Sequence, residues 1–341
     1  RDEVIEQVDH FGRLLDMREV PDTRQHLETT TGPQFAERVA VVDGDDVVLI
    51  PPDHHQISDP PPKPVALVNP QLETKSPKRF HELCTAGLAF KLVHGLIKLG
   101  RNNGEPGFKE YDIRLLLDLV ALGTIADLVP LVGENRILAV KGLEQLNRTD
   151  RIGLNALISE SGIKGPIGSF EVGFQLGPRL NAAGRLKSAM ASFDLLTSSD
   201  QDIASGLAGL LDRQNRERQR VEKDITEQVM NRLSTQFDPA NDYTIVEGDP
   251  GWNIGVVGIV ASRVQKEFYR PTFILGGSPD GMRGSGRSIK GFDLAAALHQ
   301  CGDVVNRHGG HAMAAGVSLD PENINLFRKR LNETARSSIG E

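Results

Sequence analysis

The sequence is poor in cysteine, in tryptophan and tyrosine, and in long apolar runs. Its two cysteines, Cys84 and Cys301, lie far apart and outside any metal-ligand spacing, so they provide neither a disulfide framework nor a zinc site. We interpret both as free buried thiols, for which a reducing cytoplasm is the default setting. No apolar run is long enough to cross a bilayer, and the first residues do not have the pattern of a signal peptide.

An excess of positive charge is also missing. The chain has 39 Lys and Arg against 46 Asp and Glu, a formal net charge of −7, which argues against a protein that coats nucleic acid by charge alone. A nuclease is not excluded, because a site for divalent cations concentrates carboxylates, and phosphate contacts can be confined to one local basic surface. Composition therefore leaves the function open.

What the sequence does contain is two regions of mixed strand and helix patterns. With 341 residues, the chain is too long for one ordinary core and fits two domains. Residues 200–237 have the longest helical pattern, with a single apolar stripe, and such a helix usually bridges two bodies. The predicted fold class is α/β, with a parallel-sheet domain and a smaller α/β domain joined by this long helix.

Three polar residues follow the first clear strand pattern. Val47–Ile50 is β-branched and stops at a proline pair, after which come Asp53, His54 and His55. Ligands bind beyond the carboxyl ends of strands in an open parallel sheet, and oxygen with imidazole donors suits Mn²⁺. The alternative is a turn whose polar side chains satisfy nearby backbone groups.

A fourth acidic candidate stands after an apolar helix pattern. Asp127 lies inside Gly123–Pro130, among residues that are usually buried, and a carboxylate there is costly unless it is paired or bound to a metal. The alternative is an aspartate that caps a helix end.

A glycine-rich stretch, predicted as a loop over Gly276–Gly291, contains Gly284–Ser288. Glycines there would let backbone N–H groups approach an anion, with a hydroxyl and a guanidinium alongside, and arginine matches phosphate oxygens in pairs. The alternative is a hairpin loop that is glycine-rich for conformational reasons.

Six segments, in order along the chain, resemble the RecJ type of the DHH phosphoesterases. The resemblance covers about residues 47–331. The segments are Asp53-His54-His55, Gly123–Arg136, Leu176–Leu186, Gly255–Arg263, Gly284–Ser288 and Gly309–Gly316.

The resemblance implies a DHH phosphoesterase domain over residues 1–200, a connecting helix over 201–237 and a DHH-associated substrate-binding domain over 238–341. It implies a single-stranded-DNA-specific 5′-to-3′ exonuclease of DNA repair and recombination, with two Mn²⁺ or Mg²⁺ ions in the first domain. Single-stranded DNA is then the substrate, and a single-stranded-DNA-binding protein is an expected partner. With one tryptophan and three tyrosines, base stacking would rest largely on phenylalanine.

The same resemblance assigns roles to individual residues. The implied catalytic and metal-ligating residues are Asp53, His54, His55 and Asp127. The implied substrate-binding residues are Arg179, Asn181, Arg185, Ser285, Gly286, Arg287, Ser288 and His311. For the first three of these the alternative is surface charge at a helix start, and for His311 it is a structural histidine packed under a glycine turn. The basic residues from Arg213 to Lys223 are interpreted as ordinary solvated charge.

Part of the metal site expected from the resemblance is missing. DHH enzymes also have an Asp-x-Asp strand end near the N-terminus, which we do not find, and Glu28 with threonines stands about where a further aspartate is expected. We therefore expect an N-terminally incomplete form of an active enzyme. A relative that has kept DNA binding without the chemistry, or a DHH phosphodiesterase for short oligonucleotides or cyclic dinucleotides, are the alternatives.

Overall fold

The computed structural model describes residues 39–43, 46–50, 69, 82–186, 189–278 and 281–339. The chain divides into two compact units, Arg1–Asp212 and Arg213–Glu341. Helices and strands are mixed, and the α/β class with a long helix predicted from the sequence is confirmed. Within the described residues, no helix is both long and apolar enough to span a membrane.

The first unit is mainly helical in its described part. Strands β1 and β2 form an antiparallel pair, with Val39 opposite Ile50 and Asp43 opposite Asp46. The elements are β1 (Val39–Asp43), β2 (Asp46–Ile50), α1 (Thr85–Asn102), α2 (Leu117–Ala126), α3 (Gly133–Leu146), α4 (Ile152–Ser161), α5 (Gly177–Leu186) and α6 (Met190–Thr197).

The core of the first unit is built by helices that approach each other closely. A Cβ at Gly142 of α3 would overlap the carbonyl oxygen of Leu117, and one at Gly153 of α4 would overlap that of Leu195. Leucine fills the space between them, because long unbranched apolar side chains suit both helices and dense packing. The fully buried leucines are Leu146, Leu154, Leu157, Leu176, Leu195 and Leu211.

Helix α7 (Gln201–Gln236) contributes to both units, since the division falls between Asp212 and Arg213. The sequence predicts this helix to within one residue at either end. Its basic segment is less solvated than expected, because Asp212 and Glu222 are buried. Glu222 accepts from Arg218 at 2.9 Å and lies 2.6 Å from Nη2 of Arg263. The interpretation as ordinary solvated charge is therefore wrong for Arg218, whereas Arg213, Arg216, Arg220 and Lys223 are exposed as expected.

The second unit is a five-stranded sheet with the order β3-β4-β5-β7-β6. Strands β3 and β4 are parallel, and the other pairs are antiparallel. The elements are β3 (Ile245–Asn253), α8 (Val257–Phe268), β4 (Thr272–Ser278), β5 (Gly281–Arg287), α9 (Leu294–Gln300), β6 (Arg307–Gly310), β7 (Ala314–Leu319) and α10 (Ile324–Ile339).

Helices lie on both faces of this sheet. Phe273 of β4 packs with Phe327 of α10, their rings 5.4 Å apart, in a cluster that also contains α9 residues. Ile274, the next residue along β4, packs on the other side with α8 and the end of α7. Alternation along β4 therefore assigns α9 and α10 to one face and α8 to the other.

The predicted glycine-rich loop over Gly276–Gly291 is wrong for residues 276–278, which end strand β4, and for residues 281–287, which form strand β5. Its glycines serve packing: a Cβ at Gly284 would lie 2.7 Å from Leu275 Cγ, and one at Gly286 would lie 2.5 Å from Cε1 of Phe273. Each glycine is directly opposite the large residue that it accommodates. These glycines are therefore required by the large side chains of the partner strand β4 and not by a turn.

Candidate half-sites in the two units

Asp127 follows the last residue of α2 and is exposed. Its backbone N–H donates to the Gly123 carbonyl at 3.0 Å. The expectation that it is surrounded by buried residues is wrong on its C-terminal side, where Leu128 is 85% exposed. A helix C-terminus attracts cations, so a carboxylate at this position can bind a cation together with the helix end. Asp53, His54 and His55 lie outside the described residues.

Leu128 adds local strain beside this carboxylate. Its φ of 60° lies in the left-handed region, which costs an L-residue roughly 1–2 kcal/mol. Glycine would be the usual residue at this place after a helix. A strained, exposed leucine next to a candidate ligand is typical of a functional segment.

Helix α5 begins beside the end of α2. A Cβ at Gly177 would lie 3.1 Å from that of Ala126, which is the residue before Asp127. The turn just before Gly177, Val172–Leu176, is π-helical, and single π-turns are frequent at functional sites. The RecJ-like segment is thereby placed next to the candidate metal ligand within the first unit.

The three predicted substrate contacts on α5 divide into two kinds. Arg179 is largely buried and lies 3.0 Å from Oδ1 of Asp212, while its Nη1 donates to the Gln175 carbonyl. We therefore assign Arg179 to the fold. Asn181 and Arg185 are exposed and, being four residues apart, share one side of the helix.

In the second unit, Ser285 and Arg287 project from the same face of β5. Arg287 Nη1 donates to Ser285 Oγ at 2.9 Å and to the Gly286 carbonyl at 2.8 Å, which fixes the guanidinium beside the hydroxyl. Both side chains are half-buried. The pair presents a guanidinium and a hydroxyl at adjacent positions, which suits the oxygens of a phosphate.

The first turn of α8 abuts this pair. A Cβ at Gly258 would lie 3.0 Å from Ser285 Oγ and 3.2 Å from Arg287 Nη2. Before this turn, the Asn253 carboxamide oxygen accepts from the N–H of Gly255 at 2.8 Å. The N-terminus of a helix favours anions, so α8 adds partial positive charge next to Ser285 and Arg287.

Two predicted ligands of this segment have structural roles instead. Strand β5 is paired on both sides, with β4 and β7, so its backbone N–H groups serve the sheet and Gly286 offers no donor to an anion. Ser288 is buried, and its hydroxyl donates to the Phe292 carbonyl at 2.6 Å. The predicted backbone cradle is replaced by a site made of side chains.

His311 lies in the connection between β6 and β7. Its backbone N–H donates to the Ala314 carbonyl at 2.8 Å, and the residue is exposed. The alternative of a histidine packed under the glycine turn does not hold. His311 stays a candidate ligand in the second unit.

Comparisons with known proteins identify the family of the chain. Residues 241–337 match the DHHA1 domain. The single-stranded-DNA-specific exonuclease RecJ of Bacillus subtilis is 43% identical over 309 residues, which are 89% of this chain and 37% of that protein. A solved structure of exonuclease RecJ bound to manganese is 34% identical, with a TM-score of 0.68, and the match covers 83% of this chain and 68% of that one. The chain belongs to the RecJ family.

A second RecJ structure, that of the Thermus thermophilus protein in complex with Mn²⁺, matches with a TM-score of 0.71 and 33% identity. The match covers 83% of this chain and 40% of the Thermus chain. The present chain spans 37% of the B. subtilis RecJ and 52% of the Escherichia coli RecJ. Within the described residues no group of three or more potential metal ligands occurs.

Sequence reasoning missed two glycines of this RecJ-family chain. Gly258 makes room for Ser285 and Arg287, and Gly177 makes room for Ala126. Both stand in or next to the first turn of a helix, inside segments that carry the family resemblance. A glycine that close to a helix start is a weak signal for a close approach, and it does not identify the neighbour.

Proposed function

We propose that the chain contributes to a metal-dependent 5′-to-3′ exonuclease that acts on single-stranded DNA and releases nucleotides from the 5′ end. The observation that carries the proposal is the Ser285–Arg287 pair beside the first turn of α8, in a chain of the RecJ family. The names of the relatives specify single-stranded DNA, and three solved RecJ structures hold Mn²⁺ or Mg²⁺.

The donor set supports a hard divalent cation. Asp127 offers an oxygen donor at a helix C-terminus, where positive charge is favoured. Asp53, His54 and His55 would complete the ligands by family resemblance, and Mn²⁺ accepts both oxygen and imidazole donors. When bound, the metal supplies an activated water and charge neutralisation for phosphodiester hydrolysis.

The residues of the second unit would hold the terminal phosphate. Arg287 is positioned by Ser285 and the Gly286 carbonyl, so little side-chain freedom is lost when a phosphate binds. The hydroxyl of Ser285 can donate to the same phosphate while it accepts from Arg287. Asn181 and Arg185, on the exposed side of α5, would contact the sugar-phosphate backbone.

The proposal also includes a compartment and a protein partner. A cytoplasmic setting is supported by Cys84 and Cys301, which are buried free thiols, because disulfides are rare in that compartment. A partnership with a single-stranded-DNA-binding protein is proposed from family membership alone.

The test is degradation of 3′-labelled single strands by the whole chain with Mn²⁺, comparing 5′-phosphate with 5′-hydroxyl ends. Arg287→Ala should lower the preference for the 5′ phosphate about ten- to a hundredfold, whereas Arg336→Ala, an exposed arginine of α10, should leave it unchanged. Asp127→Ala should lower turnover at least about a hundredfold, and the exposed Asp150 provides the matched control Asp150→Ala.

The alternatives give different results in the same assay. Binding of single strands without Mn²⁺-dependent release would identify a non-catalytic relative. Turnover of cyclic dinucleotides without turnover of DNA would identify a small-molecule phosphodiesterase. Equal activity of wild type and Asp127→Ala would remove Asp127 from the site.

A further inference from the structure

The sheet of the second unit has one face that helices cover only in part. Helix α8 packs on this face at β4 and reaches Ser285 and Arg287 on β5. Beyond that point, the residues of β5, β7 and β6 that belong to the same face are open to solvent. The exposed ones are Arg283, Ala314, Gly316, Arg307 and Gly309.

Two arginines stand in one row across this open face. Arg283 of β5 is directly opposite Ser318 of β7, and Ser318 is directly opposite Arg307 of β6. Adjacent strands lie about 4.8 Å apart, which puts the α-carbons of the two arginines about 10 Å from each other. Arg283 is two residues from Ser285 along β5, a distance of about 7 Å.

In the neighbouring row, the positions on β7 and β6 are both glycines. Gly316 is opposite Ser285, and Gly309 is opposite Gly316. A Cβ at Gly316 would lie 3.9 Å from the nearest non-adjacent atom, the Gly284 carbonyl oxygen, and one at Gly309 would meet nothing within 4 Å. The fold therefore tolerates side chains at both positions, unlike Gly284 on the covered face. Glycine weakens a strand, and where no bulge or bend requires it, close approach by a ligand or another backbone is a common reason for it.

We propose that Arg283 and Arg307 form an accessory phosphate subsite, which holds a phosphate on the 3′ side of the first phosphodiester in the strand whose terminal phosphate is held by Ser285 and Arg287. The inference rests on the proposed function. Charge supports it, because both cations face the same open surface and Arg307 is exposed on the edge strand β6. Arg307 stands two strands across and one row along from Ser285, a distance of about 12 Å between α-carbons, which is comparable with two phosphate repeats of an extended single strand. Gly316 and Gly309 leave room for the sugar-phosphate chain beside the two arginines.

The test is equilibrium binding of 5′-phosphorylated oligothymidylates of increasing length to the whole chain in EDTA, so that turnover plays no part. Arg307→Ala and Arg283→Ala should each weaken binding of the longer oligonucleotides roughly three- to tenfold at low salt. The slope of log K against log salt should become shallower by about 0.7 for each phosphate that the variant no longer neutralises. Binding of the mononucleotide should not change, whereas Arg287→Ala should weaken binding at every length.

Gly316→Val separates binding from folding. Because the sheet has room there and β-branched residues favour strands, the variant should be as stable as wild type or more stable, yet bind long oligonucleotides less well. Arg336→Ala, on the other side of the sheet, is the matched control for the arginine variants.

The outcomes are distinct. Unchanged affinity and salt slope in Arg283→Ala and Arg307→Ala, with normal binding by wild type, overturns the subsite. An equal loss of affinity for the mononucleotide also overturns it, because the arginines would then belong to the terminal phosphate. Failure of wild type to bind single strands at all would overturn the proposed function and this inference together.

Discussion

The two units place their candidate ligands on different kinds of support. In the first unit, Asp127 follows the end of a helix and is succeeded by a residue in a strained conformation. In the second, Ser285 and Arg287 stand on a strand that is hydrogen-bonded on both sides. A paired strand fixes side-chain direction by itself, whereas a helix end depends on what anchors the helix. The helix that carries Asn181 and Arg185 is anchored by the buried Arg179–Asp212 pair, whereas β5 is fixed by its pairing with two strands and by dense packing around Gly284 and Gly286.

The anchor of the first unit is the Arg179–Asp212 pair, and breaking it should have the largest effect. Both side chains are mostly buried, with exposed fractions of 15% and 2%. Asp212→Asn leaves the arginine without its counter-charge, which typically costs about 3–5 kcal/mol in a buried pair. Urea unfolding followed by circular dichroism at the helix band measures the resulting drop in the free energy of unfolding.

The exposed Asp194 of α6 offers a matched variant, Asp194→Asn, that should change the free energy of unfolding by less than about 0.5 kcal/mol. If Asp212→Asn unfolds like wild type but binds DNA less well, the pair is a ligand site and the contrast between the units is broken.

The second unit should instead be sensitive to added volume. Gly286→Ala brings a Cβ to 2.5 Å from the Phe273 ring, and overpacking of this kind costs about 1–3 kcal/mol. Gly316→Ala meets no such obstacle and should be neutral or slightly stabilising. Trp252, the one tryptophan of the sequence, is buried in this unit, so its fluorescence reports the unfolding of this unit. Equal stability of the two variants would contradict the packing explanation.

Much of this architecture is predictable from the sequence. The long helix is predicted to within one residue at each end, because its apolar periodicity is strong. The family is also predictable, since six short segments in order carry more information than any single motif. The order of the five strands is not, because registers are decided by contacts between distant segments.

For the candidate site, the sequence predicts which side chains lie together but not how the neighbouring glycines are used. Ser285 and Arg287 are brought together, yet the glycines of this segment, expected to expose backbone donors, serve Phe273 and Leu275 instead. A glycine in a sequence can indicate that a side chain would not fit at that position, but it does not show which neighbour or ligand occupies the space. Arg179 has the same ambiguity, because an arginine looks alike in a sequence whether its partner is a phosphate or a buried aspartate.

A smaller effect on the free energy of unfolding is expected at Leu128, whose left-handed conformation destabilises the first unit. Leu128→Gly removes a side chain that is 85% exposed and relieves the left-handed conformation, against the greater chain entropy of glycine. The net expectation is a gain of up to about 1 kcal/mol in the free energy of unfolding. Thermal denaturation of the variant beside wild type measures it, and a decrease in stability would mean that the leucine side chain makes contacts that the fold requires.

The smallest effect concerns local opening of each unit, which the rates of reaction of the two thiols with a reagent measure. Cys301 is fully buried, and burial raises its pKa to about 11, while Cys84 lies at the start of α1 beside the Thr124 hydroxyl, 3.5 Å away. In single-thiol variants Cys84→Ala and Cys301→Ala, we expect Cys84 to react faster with a thiol reagent, because helix ends open more easily than packed cores. Reaction through opening should level off above the pKa of an exposed thiol, about 8.5. A rate at Cys301 that keeps rising toward the raised pKa of about 11 would instead mean direct attack on the folded core, and the second unit would then be the looser of the two.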